Sequence, residues 1–381
     1  MIKIAKNKSL QNNVIDCLSK IADHRDQNKI IHPLPTILFT SICAIFCGAE
    51  GWEDIVLWAE SNKKFLSKYV DTSNGTPSYS TIRRLFAVIS PKNWDGVTRG
   101  IIDCHNPDKK PEDHISIDGK TLRGSKCTSK EIRAMQMVSA FSIENNLTLG
   151  EVKTDSKSNE IKAIPLLLDI LDIKDATISI DAIACNEKII KAILDKGANY
   201  LLGLKKNQPK LHEAVEQYAK AEGTKIKNLV KDYFDHSHGR ITRRRYFTFD
   251  VTENISKLGF SKMNTIIATE TISSDKYITD KSVKYEWRYY ISNHNKSNNS
   301  LPSYIRNHWQ VESMHWLLDV HLNDDKDKKY EKNAAENFAK TKRFLLNLVK
   351  STPPQGKKRS IRSNLKKVGW DLDYLVELLF V

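Results

Sequence analysis

The sequence offers little with which to build a covalently braced or membrane-bound protein. Its six cysteines, Cys17, Cys43, Cys47, Cys104, Cys127 and Cys185, form no CxxC pair and sit largely among apolar residues. That spacing argues against a zinc ribbon or a disulfide frame and points to reduced core thiols. The longest apolar stretch, Ile37 to Phe46, falls far short of the ~20 residues that cross a bilayer, and Thr40 and Ser41 interrupt it. It reads as a buried helix, so no membrane partner is expected. The opening segment MIKIAKNKSLQNNV lacks the apolar core and small-residue cleavage site of a signal peptide, which makes the cytoplasm the expected location. Internal repeats and low-complexity runs are also missing.

What is present is an ordinary folded composition with a basic surplus. Of 381 residues, 40% are apolar and 28% charged, enough for two or three domains with sizeable cores. Lys and Arg number 60 against 46 Asp and Glu, a net charge of +14. A surplus of that size favours a polyanionic partner such as DNA or RNA. A chain rich in Lys, Ile and Asn also follows from a genome of low GC content, so charge alone decides nothing.

Residues 1–110 read as a helical domain, with apolar residues recurring at threes and fours in Val14, Leu18 and Ile21 and again in Ile55, Leu57, Trp58 and Phe65. Within it, GTPSYSTIRRLFAVI places a Ser80 cap ahead of a short helix carrying Arg83 and Arg84. This is the pattern of the second helix of a helix-turn-helix. A capped surface helix with two solvated arginines fits the residues equally well. From residue 111 the pattern changes to strand-like runs at His114–Asp118, Ala134–Ile143, Leu147–Thr154, Ala176–Asp181 and Asn199–Leu204, with helical spacing at Ile161–Leu171 and Glu187–Lys196. The order β-β-β-α-β-α-β is that of a ribonuclease H core, an α/β fold. Residues 111–204 and 301–350 are assigned to that core. Residues 205–300 form a β-rich insertion with strands at Arg243–Val251, Met263–Ile272 and Tyr285–Ser292. Single helices are expected over Ser303–Val320 and Asn333–Lys350. Residues 351–381 form a basic tail bearing Lys357, Lys358, Arg359, Arg362, Lys366 and Lys367.

Two acids, Asp118 and Asp181, terminate apolar strands, ISID in each case. A carboxylate there loses its hydration unless something offsets the loss, and divalent metal ions are the usual partners. In a ribonuclease H arrangement the first and fourth strands are neighbours, which brings both acids to one sheet edge. A third comes from a later helix, where Glu312 and Asp319 stand seven apart on nearly one face. His308, Trp309, His315 and Trp316 cluster with Glu312. A salt-bridged amphipathic helix with core tryptophans is the competing explanation. A Glu-x-x-His di-metal bundle is excluded, because no second such motif exists.

At these residues the chain resembles the DDE transposases of bacterial insertion sequences, in the subfamily of the H-repeat-associated proteins. The matching stretches run in order: DHRDQNKIIHPL, GWEDI, PSYSTIRRLF, SIDGKTLRGS, DSKSNEI with IPLLLD, ISIDAIAC, GANYLLGLKKNQ, HGRITRRR, RYYISN and IRNHWQVESMHWLLDVHLNDD. The resemblance implies that Asp118, Asp181 and Glu312 are the metal-binding catalytic triad, served by Mg2+ or Mn2+. It sets Lys120, Arg123, Lys205, Lys206, Arg240 and Arg243 beside the core motifs, as candidates for holding phosphates. His308 joins them, because it stands where the wider class carries an Arg; Asp319 stands where that class carries a Lys. Trp309 is a candidate for stacking on an unpaired base, though core packing also accounts for it. Glu160 reads as supporting or structural, and Thr242 stands where an acid is common.

The function implied is metal-dependent cleavage and strand transfer at the ends of an insertion sequence. The expected partner is double-stranded DNA, held by a homodimer or larger assembly, which would associate the protein with the nucleoid. Two alternatives are a decayed transposase that binds DNA without cutting, and a structure-specific nuclease on the same fold.

Overall fold

A computed structural model describes residues 14–154, 160–222, 226–237, 240–275, 283–352 and 359–380. Lys357 and Lys358 of the basic segment, residues 155–159 of DSKSNEI, and His238 and Gly239 lie outside the described residues. The N-terminal body contains helices α1 (Leu34–Phe46), α2 (Trp52–Ser61), α3 (Tyr79–Val88) and α4 (Pro91–His105). Helix α1 is the apolar stretch noted above, buried at all but one of its positions; its Ser41 hydroxyl returns to the Ile37 carbonyl at 2.8 Å. The cap of α3 is Ser78 rather than Ser80. Ser78 is extended and its side chain accepts from the Thr81 amide, whereas Ser80 already lies within the first turn.

The rest of the chain is built on one sheet. Its strands are β1 (His114–Leu122), β2 (Met135–Ser142), β3 (Leu147–Thr154), β4 (Thr177–Ile180), β5 (Asn199–Leu204), β6 (Leu229–Ser237), β7 (Arg240–Asp250), β8 (Thr265–Asp275) and β9 (Lys284–Ser292). They are accompanied by α5 (Glu160–Asp169), α6 (Glu187–Asp195), α7 (Pro209–Glu222), α8 (Leu301–Asn307), α9 (Gln310–Leu322), α10 (Ala334–Ser351), α11 (Ile361–Trp370) and α12 (Leu372–Leu379). The strand order is β3-β2-β1-β4-β5-β9-β8-β7-β6. Strands β1, β2 and β3 are antiparallel, while β4 and β5 run parallel to β1. The hairpin turns at Asn145-Asn146, where Asn146 takes φ 55°, a conformation asparagine tolerates well. Gly197 ends the α6 region at φ 72°.

Strand alternation divides the side chains between two helical layers. Ile115, Ile117, Val138, Ala140, Ile178, Ile180, Tyr200 and Leu202 bury one face against α5, α6 and α7. The opposite face carries His114, Ser116, Asp118, Lys120 and Ser179 along its centre, with apolar packing on α9 and α10 through Phe141, Met135, Met137 and Leu122. This polar column lies under helices rather than in open water.

Several elements differ from the sequence expectation. Strand β1 runs on to Leu122, so Asp118 is internal to it rather than terminal. The strands of residues 205–300 join the core sheet: β9 pairs with β5, and β6 to β9 extend it. That region also contains the helix α7. The expected helix over Ser303–Val320 is two helices, α8 and α9, meeting at His308 and Trp309. The C-terminal segment is not a loose basic tail, since α11 and α12 bury Val368, Tyr374, Leu375, Leu378 and Leu379 in the core of the N-terminal helices. Arg359, Arg362 and Lys366 remain exposed on it. Among the described residues no helix is long and apolar enough to cross a membrane, and all six cysteines are free thiols.

Leu375 is fully buried in the core that also holds Phe380 and the residues of α1. Leu375→Ala should lower the unfolding free energy by about 2–5 kcal/mol, read by urea denaturation. A change within error would mean that α12 contributes nothing to that core.

Candidate active site

The parallel ladder of β1 and β4 pairs Ser116 with Ser179 and Ile117 with Ile180. The next residue on each strand is an aspartate, Asp118 and Asp181, on the same face by alternation. Asp181 leaves its strand there and caps a short turn, its carboxylate accepting from the Ile183 amide at 2.9 Å. Helix α9 packs across β1 and β2 with Val311, Met314 and Leu318 inward. Glu312 lies in its first turn, where the positive end of the helix favours a carboxylate. All three acids line one cleft of about 480 Å3, together with Lys205, Arg288, Ser179, His308 and Trp309.

The electrostatics follow from this crowding. Partial burial, then the negative charge of Asp118 and more weakly that of Asp181, raise the pKa of Glu312; His315 and Arg288 oppose the shift. The Nδ1 of His315 stands 3.4 Å from Asp118 Oδ2. Behind the acids runs a chain of polar groups. His114 Nε2 is 2.7 Å from Ser179 Oγ, which is 2.9 Å from His308 Nδ1. Burial lowers the pKa of both histidines, of His114 to about 3, so this chain stays neutral at physiological pH.

The acids are oxygen donors of the kind hard divalent cations take, and their mutual repulsion is what such a cation offsets. Among the described residues, however, no three His, Cys, Asp or Glu side chains converge tightly enough to enclose a single ion. Coordination by all three therefore needs side-chain movement.

The other residues singled out from sequence fall into two groups. Lys205 and Lys206 are exposed just after β5, and Lys205 reaches the cleft. Arg84 is exposed on α3, and its Nε donates to the Ser80 carbonyl. Arg83 is 3.4 Å from Glu331, and Arg123 is exposed but 3.5 Å from Asp325. Arg240 starts β7, which β5, β9 and β8 separate from β4 in the sheet. The remainder are engaged within the fold. Lys120 is buried among Asp319, Asp324 and Asp325. Arg243 forms a fork on Asp232 and lies over Phe234. His308 faces Ser179. These three therefore have little freedom to grip a phosphate. Glu160 lies on the opposite sheet face from Asp118, hydrogen-bonded to Gln136, where a side chain at Gly119 would collide with it.

Sequence reading missed Arg288, which lies 5.2 Å over the Trp309 ring and lines the cleft. It sits in β9, far along the chain from any acid, and only the pairing of β9 with β5 brings it there. Trp309, which precedes α9, and Trp316 within it are not core residues, being 41% and 56% exposed. That removes the core-packing explanation for both.

A carboxyl whose folded pKa lies above its unfolded value binds its proton more tightly in the folded chain. Its stabilising contribution is complete below the ordinary carboxyl range and is lost as pH rises through the folded value. Glu312→Gln should therefore raise the melting temperature at pH 7.5 in a chelating buffer, with the gain shrinking at pH 4. An equal or lower melting temperature at pH 7.5 would count against the crowding described here.

Comparison with known proteins bears on what this cleft is for. The family described as "Transposase DDE domain" matches residues 109–348, and the family "DDE_Tnp_1-associated" matches residues 15–100. An Escherichia coli protein named "H repeat-associated putative transposase" is 36% identical over 376 residues, covering 96% of this chain and 97% of its own. A "Putative transposase" from another strain of that species is 37% identical over 376 residues, covering 96% and 94%. Among solved structures, a piggyBac transposase synaptic complex with hairpin DNA superposes loosely, with a TM-score of 0.47 and 10% identity over 98% of this chain and 82% of that one. On the strength of the family match and the near full-length relatives, the chain belongs to the transposase DDE domain family.

Proposed function

We propose that Asp118, Asp181 and Glu312 are the catalytic carboxylates of this transposase, cutting and rejoining DNA at the ends of its element. The observation that carries the reading is the register: the two aspartates follow the last paired residues of β1 and β4, and Glu312 overlooks the same cleft. The sheet supports assigning the fold to the ribonuclease H type. Its first three strands are antiparallel, and its fourth and fifth run parallel to the first. Residues 205–300 then act as a β-rich insertion that widens this sheet.

Mg2+ or Mn2+ held by the three acids would polarise the scissile phosphate and activate the attacking hydroxyl. The protein's own part is to orient and to bind. Glu312 and Asp118 close the cleft from helix and strand. Lys205 brings positive charge to its wall, where a DNA phosphate can rest, and Arg288, paired with Glu286, would join it on exchanging that carboxylate for the phosphate. Arg84, Lys206 and the exposed Arg359, Arg362 and Lys366 add positive charge at the surface. The binding partner is double-stranded DNA, and binding should weaken as salt rises. Each protomer offers one such site whereas an element has two ends, so a dimer or larger assembly is the unit that acts on paired ends. The work takes place in the cytoplasm, at the nucleoid.

Asp118→Asn, Asp181→Asn and Glu312→Gln each remove one ligand charge at nearly constant volume. Each should cut Mg2+-dependent cleavage of end-containing DNA by about a thousandfold or more, the loss of several kcal/mol of transition-state stabilisation. DNA binding in gel shift should be nearly unchanged. Wild-type cutting by any one variant removes that residue from the set.

Helix α3 is the candidate for reading the ends. The double change Arg83→Ala, Arg84→Ala should weaken end binding, at about 1–3 kcal/mol for each base-edge hydrogen-bonded pair removed, or evenly across sequences if only phosphates are touched. Unaltered binding to both end and random DNA would show that α3 is structural.

A further inference from the structure

A cluster of buried opposite charges lies beside the three acids. Lys120 stands two residues beyond Asp118 on β1, so both side chains project from the same face. Asp319 stands seven residues, about two turns, beyond Glu312 on α9, so these two also share a face. Lys120 is 7% exposed and its ammonium group is surrounded by three carboxylates. It hydrogen-bonds Asp319, donates to Asp324 at 3.0 Å and lies 3.7 Å from Asp325.

The link is anchored behind as well as in front. Asp324 is 1% exposed and 3.1 Å from Arg343 of α10, whose guanidinium also bridges to Glu151 of β3. Burial would push the Asp324 carboxyl up, but Arg343, Lys120 and Lys342 outweigh it and hold it at about 2. Backbone packing closes the same joint: a Cβ on Gly124 would stand 2.6 Å from the Asp327 carbonyl oxygen. The end of β1 is thus seated against the turn that follows α9.

Along the shared interface of β1 and α9, the Asp118 and Glu312 end is therefore repulsive and the Lys120 and Asp319 end attractive. We infer that Lys120 is a positioning residue which, through Asp319, fixes how far α9 stands from β1 and so the separation of Glu312 from Asp118. The inference rests on the reading of Asp118 and Glu312 as metal-binding carboxylates. It gives this buried cation a role in shaping the site without touching DNA or metal.

The test measures Mn2+ binding to the full chain by electron paramagnetic resonance, beside thermal melting and cleavage of end-containing DNA. Asp319→Asn breaks the link at its partly exposed partner and leaves the buried Asp324 pair intact. Lys120→Arg keeps the charge but changes the length and shape of the link. Both variants should melt within a few degrees of wild type, bind Mn2+ about 10–100-fold more weakly and need correspondingly more metal for cleavage, with DNA affinity unchanged. Asp118→Asn, measured alongside, should abolish the tight Mn2+ site. If Asp118→Asn binds Mn2+ as wild type does, the reading of the carboxylates fails and the inference goes with it. If Asp118→Asn loses the site while both link variants keep wild-type Mn2+ affinity, the carboxylates stand and the positioning role is overturned. Loss of Mn2+ affinity only in step with loss of melting temperature across the two link variants overturns it as well, since that is what a purely structural ion pair would give.

Discussion

Lys120, Asp324, Arg343 and Glu151 form an unbroken line of buried opposite charges from β1 through the turn after α9 to α10 and back to β3. Ion pairs this deep add little net stability over well-packed apolar side chains, yet losing one member leaves a bare charge inside the protein. Their effect is therefore on arrangement more than on stability. The sheet face that carries Asp118 cannot be sealed by apolar helices alone, because every second residue of β1 from His114 to Lys120 is polar. The charge line is what allows α9 and α10 to close over that face.

Helix α10 extends the same constraint into the N-terminal body. One of its sides carries Lys340 and Arg343 toward Asp95, Glu151 and Asp324, while Phe338, Phe344, Leu345 and Leu348 enter the core shared with α1. The helices that precede the sheet and the cleft that follows from it are thus mounted on one rod. A DNA-binding element on the N-terminal body would keep a fixed bearing on the cleft, which end recognition coupled to cutting requires.

How much of this the sequence disclosed depends on whether the deciding pattern was local. The hairpin at Asn145-Asn146 and the strand Asn199–Leu204 are written in adjacent residues, and both appear as expected. So is the alternation in HISIDGK, which places Asp118 and Lys120 together; reading it as an apolar run that stops at an acid concealed the continuation to Leu122. Strand β6 escaped notice because Lys231, Asp232 and Asp235 interrupt its pattern, as suits a strand at the sheet's outer edge. The joint at His308 and Trp309 was invisible because helical periodicity continues across it, whereas the partners that hold the two residues, Ser179 and Arg288, lie far away in sequence. The acids Asp118, Asp181 and Glu312 were legible as candidates, but the ionic seating of Lys120 was not: no spacing rule announces that four charged groups from three elements will meet.

The burial of α11 and α12 among the first helices carries a consequence for how the chain folds. Phe39 of α1 lies against Phe380, although 380 − 39 = 341 positions separate them in the sequence. The N-terminal core is therefore complete only once α11 and α12 have docked, and contacts of long sequence separation close it. Without α11 and α12 in place, α1 lacks part of its apolar cover, and exposed surface of that kind favours aggregation. Closing this core means bringing distant segments of the chain together, a slower step than forming any one of its helices.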